Sequence, residues 1–184
     1  MFGFMPDNGT VFLNADDDLL CTCSCRQSKV LYGLSENADV RAENIKTESA
    51  AMQTCDIISG SRRMHVSIPA YGRHMVYAAL EGAAAGIKFG LTDDEIIRGI
   101  AAYKTVGRRA NVIDTGYITI IDDCYNANPD SVKCAIDSMA EGGGRKVCIL
   151  GDMLEMGTER AARHADIGRY AAQKGVELLL CCLL

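Results

Sequence analysis

No run in the 184 residues stays apolar for the ~18–20 positions needed to cross a bilayer. The opening Met1-Phe2-Gly3-Phe4-Met5 has neither a basic region nor a long apolar core, so it does not read as a secretory signal. Basic clusters are scarce too. The longest is Gly107-Arg108-Arg109, and the net charge is −5 with a pI of about 5.2. That excludes the broad basic face of a nucleic-acid binder, while leaving a few arginines for a small phosphate. Internal repeats and low-complexity segments are missing. So is the C-x-x-C spacing of zinc and redox sites, because Cys21, Cys23 and Cys25 sit two apart. Nine cysteines cannot all pair within one chain, and their scatter fits no secreted framework. Reduced thiols in the cytoplasm are therefore expected. Cys124, Cys134, Cys148, Cys181 and Cys182 fall in apolar runs and read as core filler.

What is present supports a folded protein. Hydrophobic residues make up 48% of the chain, enough for a core and too many for a disordered one. The length allows one large domain or two small ones. Strands are expected at Val11–Asn14, Lys29–Gly33 and Met64–Ile68, with a polar stretch between the last two that would suit antiparallel strands. Val76, Leu80, Ala83 and Ile87 recur at helical spacing between Arg73 and Phe89. Gly82 and Gly86 there suggest close packing, and Gly90 stops the helix. Thr92-Asp93-Asp94-Glu95 fits a capping box opening a second helix. Beyond the Gly107 break the pattern alternates. Tyr117–Ile121, Val147–Leu150 and Leu178–Cys182 read as strands, separated by helices from Pro129 and from Glu159 to Lys174. This is the pattern of βαβαβ winding and predicts three neighbouring parallel strands. Both ends read as cut, the last inside or just after a strand.

The segment richest in chemistry is Asp122-Asp123-Cys124-Tyr125-Asn126-Ala127-Asn128-Pro129-Asp130-Ser131. Two carboxylates end a strand, a polar loop follows, and a helix begins. Ligands of open α/β sheets bind beyond the carboxyl ends of strands. Asp123 can accept hydrogen bonds from ribose hydroxyls, and the helix end can hold an anion. Ordinary turn chemistry explains most of the same residues, since Asn and Asp favour turns and Pro favours the first helical position. Gly151-Asp152-Met153-Leu154-Glu155-Met156-Gly157 ends the next strand and is expected at the same sheet edge.

Those two runs, followed by His164 and Ile167-Gly168, resemble the Mur ligase family of cell-wall peptide ligases, within it the branch that adds D-Ala-D-Ala. Asn14-Ala15-Asp16-Asp17, Gly72-Arg73-His74 and Gly107-Arg108 match in order and distance, so the resemblance covers nearly the whole chain. It implies an α/β fold, with residues 1–106 the later part of a central ATPase domain and 107–184 a partial Rossmann-like domain with a parallel sheet. It implies a monomeric cytoplasmic parent that uses ATP and Mg2+ to join D-Ala-D-Ala to UDP-N-acetylmuramoyl-tripeptide through an acyl phosphate. Asn14, His74, Arg108 and Asp123 would contact the nucleotide, with His74 near adenine and Asp123 on the ribose. Asn126, Asn128 and Ser131 would shape the acceptor rim. No catalytic residue and no metal ligand is assigned. The related branch that adds a diamino acid carries a histidine-rich version of the Tyr125–Pro129 run, which argues against it. Two departures stand out. Ala78 occupies a position where the family usually has an adenine-binding asparagine, and no G-x-x-x-x-G-K-[ST] phosphate loop occurs in these residues. The isolated chain is therefore expected to be inactive, and a non-catalytic nucleotide- or peptide-binding remnant is the rival reading.

Overall fold

The computed structural model describes residues 2–49 and 51–182, which divide into two compact units. Unit 1 comprises Met1–Pro69 and His74–Lys104, and unit 2 comprises Ala70–Arg73 and Thr105–Leu184.

Unit 1 is built on one five-stranded sheet. Its strands are β1 (Thr10–Asn14), β2 (Ser28–Gly33), β3 (Val40–Ser49), β4 (Met52–Ser59) and β5 (Arg62–Ile68), and they lie in sequence order. β1, β2 and β3 run parallel, whereas β3, β4 and β5 run antiparallel, as the polar stretch suggested. Alternation sends Val11 and Leu13 of β1, and Met64, Val66 and Ile68 of β5, into the core. A short helix, α1 (Asp18–Cys21), follows β1. The sheet is covered by α2 (His74–Lys88), whose stripe of Val76, Ala79, Leu80, Ala83 and Ala84 is buried. α2 ends where Gly90 turns left-handed at φ 80°. The Leu91 amide then donates to the Gly86 carbonyl and that of Gly90 to Ile87, which satisfies two orphan carbonyls. α3 (Asp93–Ala101) opens with the expected Thr92–Glu95 capping box. Gly86 is small for a reason, since a Cβ there would meet Ile96 at 3.0 Å. Gly82 is not: a Cβ there would meet nothing within 4 Å, so the close packing expected of it is absent.

Unit 2 carries two two-stranded sheets. β6 (Asn111–Asp114) and β7 (Thr119–Asp122) form an antiparallel hairpin, while β8 (Val147–Gly151) and β9 (Leu178–Cys182) run parallel. Three neighbouring parallel strands are therefore not what forms: β7 pairs with β6. The cause is local. Gly116 takes φ 78°, the Asp114 carboxylate accepts its amide, and the Thr115 hydroxyl accepts the Ile118 amide, which folds the chain straight back. α4 (Pro129–Glu141) and α5 (Arg160–Gln173) lie against β8 and β9, burying Ile136, Cys148, Met153, Ile167 and Ala171 in one cluster. The opposite face of β8 and β9 shows Val147, Ile149, Leu178 and Leu180 to solvent. Among the described residues no helix is long and apolar enough to cross a membrane.

The cysteine expectation needs correction. All nine are free. Cys148 is buried as expected, but Cys124, Cys134, Cys181 and Cys182 are exposed, so an apolar neighbourhood in sequence did not place them in the core. The most buried thiol is Cys55 of β4, and burial pushes it up to about 11, too high to act as a thiolate at neutral pH.

Candidate functional site

In unit 1 the relevant loop leaves the carboxyl end of β1. The Asn14 side-chain oxygen accepts the Asp16 amide at 2.9 Å, so Asn14 shapes the turn that carries the acids. Asp16 turns inward. Its carboxylate accepts the Leu34 amide at 2.6 Å, the Ser35 amide at 3.0 Å and the Tyr77 hydroxyl at 3.0 Å. Burial pushes its carboxyl upward, but the Ser35, Leu34 and Tyr77 groups around it win and hold it below the ordinary carboxylate value. The buried Ser35 hydroxyl lends that support without completing a hydrogen bond of normal geometry, so the two amides and the phenol carry the site. Gly33 leaves room for this arrangement, since a Cβ would stand 2.8 Å from the Asp16 carboxylate and push it aside. Asp17 caps α1 by accepting the Leu19 and Leu20 amides at 2.9 Å. His74 begins α2 with an exposed side chain, and Tyr77 ties its first turn to the Asp16 loop. Ala78 lines an apolar groove of about 320 Å³ with Met75, Ile96, Ile100 and Tyr103.

In unit 2 the structure gathers Arg108 and the acidic pair into one loop cluster. The Arg108 carbonyl accepts the Tyr125 amide at 3.1 Å. The Arg108 guanidinium lies 3.6 Å from the Cys124 sulfur and 4.0 Å from the Asp122 carboxylate, and the Cys124 thiol donates to Asp122 at 2.9 Å. Arg109 stacks on the Tyr125 ring at 3.9 Å. Asp123 is exposed, and one of its oxygens accepts the Ala110 amide at 2.9 Å. That bond secures a strained position, since Ala110 is a non-glycine residue at φ 50°. Asn126 is exposed on the following loop. Asn128 and Ser131 are occupied with each other. The Asn128 side chain accepts the Ser131 amide at 2.9 Å and the Ser131 hydroxyl accepts the Asn128 amide at 3.1 Å, a capping box that starts α4.

The loop after β8 lies beside this one, since Ala127 of the first and Met153 and Met156 of the second pack into the same cluster. It holds a cluster that the residue pattern did not assign, although Asp152 and His164 both lie in the runs that carry the resemblance. Asp152 is buried against Arg160 and His164, both projecting from the start of α5. The i, i+4 spacing of Arg160 and His164 behind an acid was the available signal. Among the described residues no three His, Cys, Asp or Glu side chains gather to hold a metal ion.

Two family models match. The Mur ligase middle domain matches residues 1–86, and the Mur ligase glutamate ligase domain matches residues 108–183. The UDP-N-acetylmuramoyl-tripeptide–D-alanyl-D-alanine ligase of Escherichia coli is 35% identical over 186 residues, covering 98% of this chain and 41% of that protein. The chain thus spans about 40% of the length of this relative. MurF from Acinetobacter baumannii has the same fold, with a TM-score of 0.87 at 24% identity over 95% of this chain and 38% of its own. MurF from Thermotoga maritima, solved in complex with ADP, gives 0.79 at 20% identity over 96% and 44%. By its fold and by both matching domains, the chain belongs to the Mur ligase family.

Proposed function

We propose that residues 1–184 are the nucleoside-end and acceptor-side portion of a cytoplasmic ATP-dependent ligase that adds D-Ala-D-Ala to UDP-N-acetylmuramoyl-tripeptide. In that reaction ATP supplies a phosphoryl group to the tripeptide carboxylate. The dipeptide amine then attacks the acyl carbon, phosphate leaves, and the amine gives up a proton. The observation that carries the reading is the joined loop cluster of Arg108, Asp122 and Asp123 at the end of β7, with Asn126 on the adjoining loop. An exposed cation and an exposed carboxylate suit a phosphate and a ribose hydroxyl. Asn14 and His74 stand at a strand end and a helix start in unit 1, where a nucleotide can meet backbone dipoles. Asn128 and Ser131 shape the acceptor rim by fixing the start of α4 rather than through free polar groups.

The residues fit this nucleotide only in part. Unit 1 offers a partner for a base and unit 2 partners for a ribose and one phosphate, but neither offers a phosphate loop or, among the described residues, a metal-ligand cluster. No step through magnesium is therefore assigned to them. The same shortfall favours a second reading for the isolated chain, a nucleotide- or peptide-binding piece without turnover. One experiment separates the two. Residues 1–184 replace the matched segment of the Escherichia coli relative, and ATP-dependent ligation of D-Ala-D-Ala is measured for the chimera and for the isolated chain. The chimera should ligate and the chain alone should not. A folded chimera that binds the tripeptide yet never forms product would overturn the ligase reading.

A further inference from the structure

The loop after β8 has a backbone that does not hold itself. Glu155 is a non-glycine residue at φ 62°, and Gly157 follows at φ 55°. Non-glycine residues persist in that region only where their surroundings fix them. The loop also carries a carboxylate whose side chain is 2% exposed, that of Asp152. A buried charge needs partners, and two come from one face of α5: the Arg160 guanidinium and, one turn later, the His164 ring.

The ring geometry sets a constraint. His164 Nδ1 lies 2.8 Å from the Arg160 carbonyl, which only accepts, so Nδ1 carries a hydrogen. Two groups then compete for Nε2. The Met153 amide, which only donates, lies at 3.0 Å, and the Asp152 carboxylate, an acceptor, lies at 2.8 Å. A bare Nε2 takes the amide and a protonated Nε2 takes the carboxylate. In both states the ring grips the loop, once by its backbone and once by its buried charge. Met153 matters because it roots the loop in the core cluster with Ile136, Cys148, Ile167 and Ala171. The ring contacts Asp152 from the loop and the Arg160 carbonyl of α5 itself. Glu159 and Arg163 pair with each other at 2.7 Å, Asp130 at the start of α4 adds its charge near Arg163, and further along α4 Asp137 pairs with Lys174 at 2.6 Å.

We propose that His164 is the positioning residue of the β8–α5 loop, switching its grip between the Met153 amide and the Asp152 carboxylate as it gains a proton. The role of that loop as part of a ligand rim rests on the ligase reading above. The grip does not, so it is tested without ligand or turnover. In the isotope-labelled 184-residue chain, the His164 ring nitrogens and the backbone amides of Met153 and Glu155 are followed by NMR across pH. The Met153 amide should move with the same midpoint as the His164 ring. In His164→Phe that transition should vanish, and Met153 amide exchange should speed up by about tenfold or more as the loop opens locally. His164→Gln can present an oxygen or an amide to the loop, so it should restore protection while abolishing the transition. A Met153 amide blind to the ring in the wild-type chain would overturn the proposal, as would wild-type protection in His164→Phe. If His164→Phe unfolds unit 2, the wild-type and His164→Gln titrations decide alone. A chimera that fails to ligate leaves this result readable.

Discussion

Each unit places adjacent acids after a strand, Asp16-Asp17-Asp18 in one and Asp122-Asp123 in the other, and spends them differently. After β1, Asp16 binds two backbone amides and a phenol, and Asp17 caps a helix. Both acids are framework. After β7, Asp123 gives one oxygen to Ala110 and stays exposed, while Asp122 faces a thiol and Arg108. The same signal, adjacent acids behind an apolar strand, yields a structural pin in one unit and a candidate ligand site in the other. What decides is the surroundings. Unit 1 backs its pair with a five-stranded sheet and a helix, so backbone amides converge on Asp16. The Asp122–Asp123 pair follows a two-stranded hairpin, in a unit whose β8 and β9 bury one face only. A parallel sheet is ordinarily covered on both faces, so unit 2 has the weaker support.

The largest expected effect tests that difference in support. Leu80→Ala in α2 and Ile136→Ala in α4 each empty a buried site. Cavity-forming changes of this kind cost about 2–5 kcal/mol, less where neighbours can collapse inward. Leu80→Ala should fall near the top of that range and Ile136→Ala near the bottom, in urea unfolding followed by probes specific to each unit. A larger loss for Ile136→Ala would break the comparison.

A smaller effect sharpens it. Asp16→Asn keeps an acceptor but loses the charge, and should cost about 1 kcal/mol at neutral pH once solvent screening is allowed for. Because the folded carboxyl of Asp16 titrates below its unfolded value, its contribution is full above the unfolded carboxyl value of about 3.9 and fades as pH falls through the folded one. Wild type and Asp16→Asn should therefore differ in urea midpoint at pH 7 and converge in acid. A constant gap from neutral pH down to acid would show that the loss lies in packing and not in charge.

Much of this was legible in the chain. Val11, Leu13, Met64, Val66 and Ile68 announce their strands by alternation, and Thr92 with Glu95 announces a helix start. The β6–β7 hairpin was missed because Asn111–Asp114 is too short to show a period, although Asp114-Thr115-Gly116 carried the turn signal. The Asp16 pin was out of reach, since its amide partners lie 18 and 19 residues away along the chain. The grip of His164 on Asp152 was half legible. Sequence puts Arg160 and His164 on one helix face, but only the fold brings the loop carboxylate beneath them.

The central claim is that the acids after β7 serve a nucleotide while those after β1 serve the fold, and Asp123 tests it most directly. Asn at 123 still accepts the Ala110 amide, so the loop keeps its support and only the charge is lost. In the chimera, ATP is titrated against wild type, Asp123→Asn and Asp122→Asn. Losing one charge-assisted bond to ribose, about 1.5–3 kcal/mol, should weaken ATP for Asp123→Asn by roughly ten- to a hundred-fold. Asp122→Asn should change it far less. Weakened ATP binding in Asp122→Asn with Asp123→Asn unchanged would contradict the assignment, and no change in either would reduce the pair to turn chemistry.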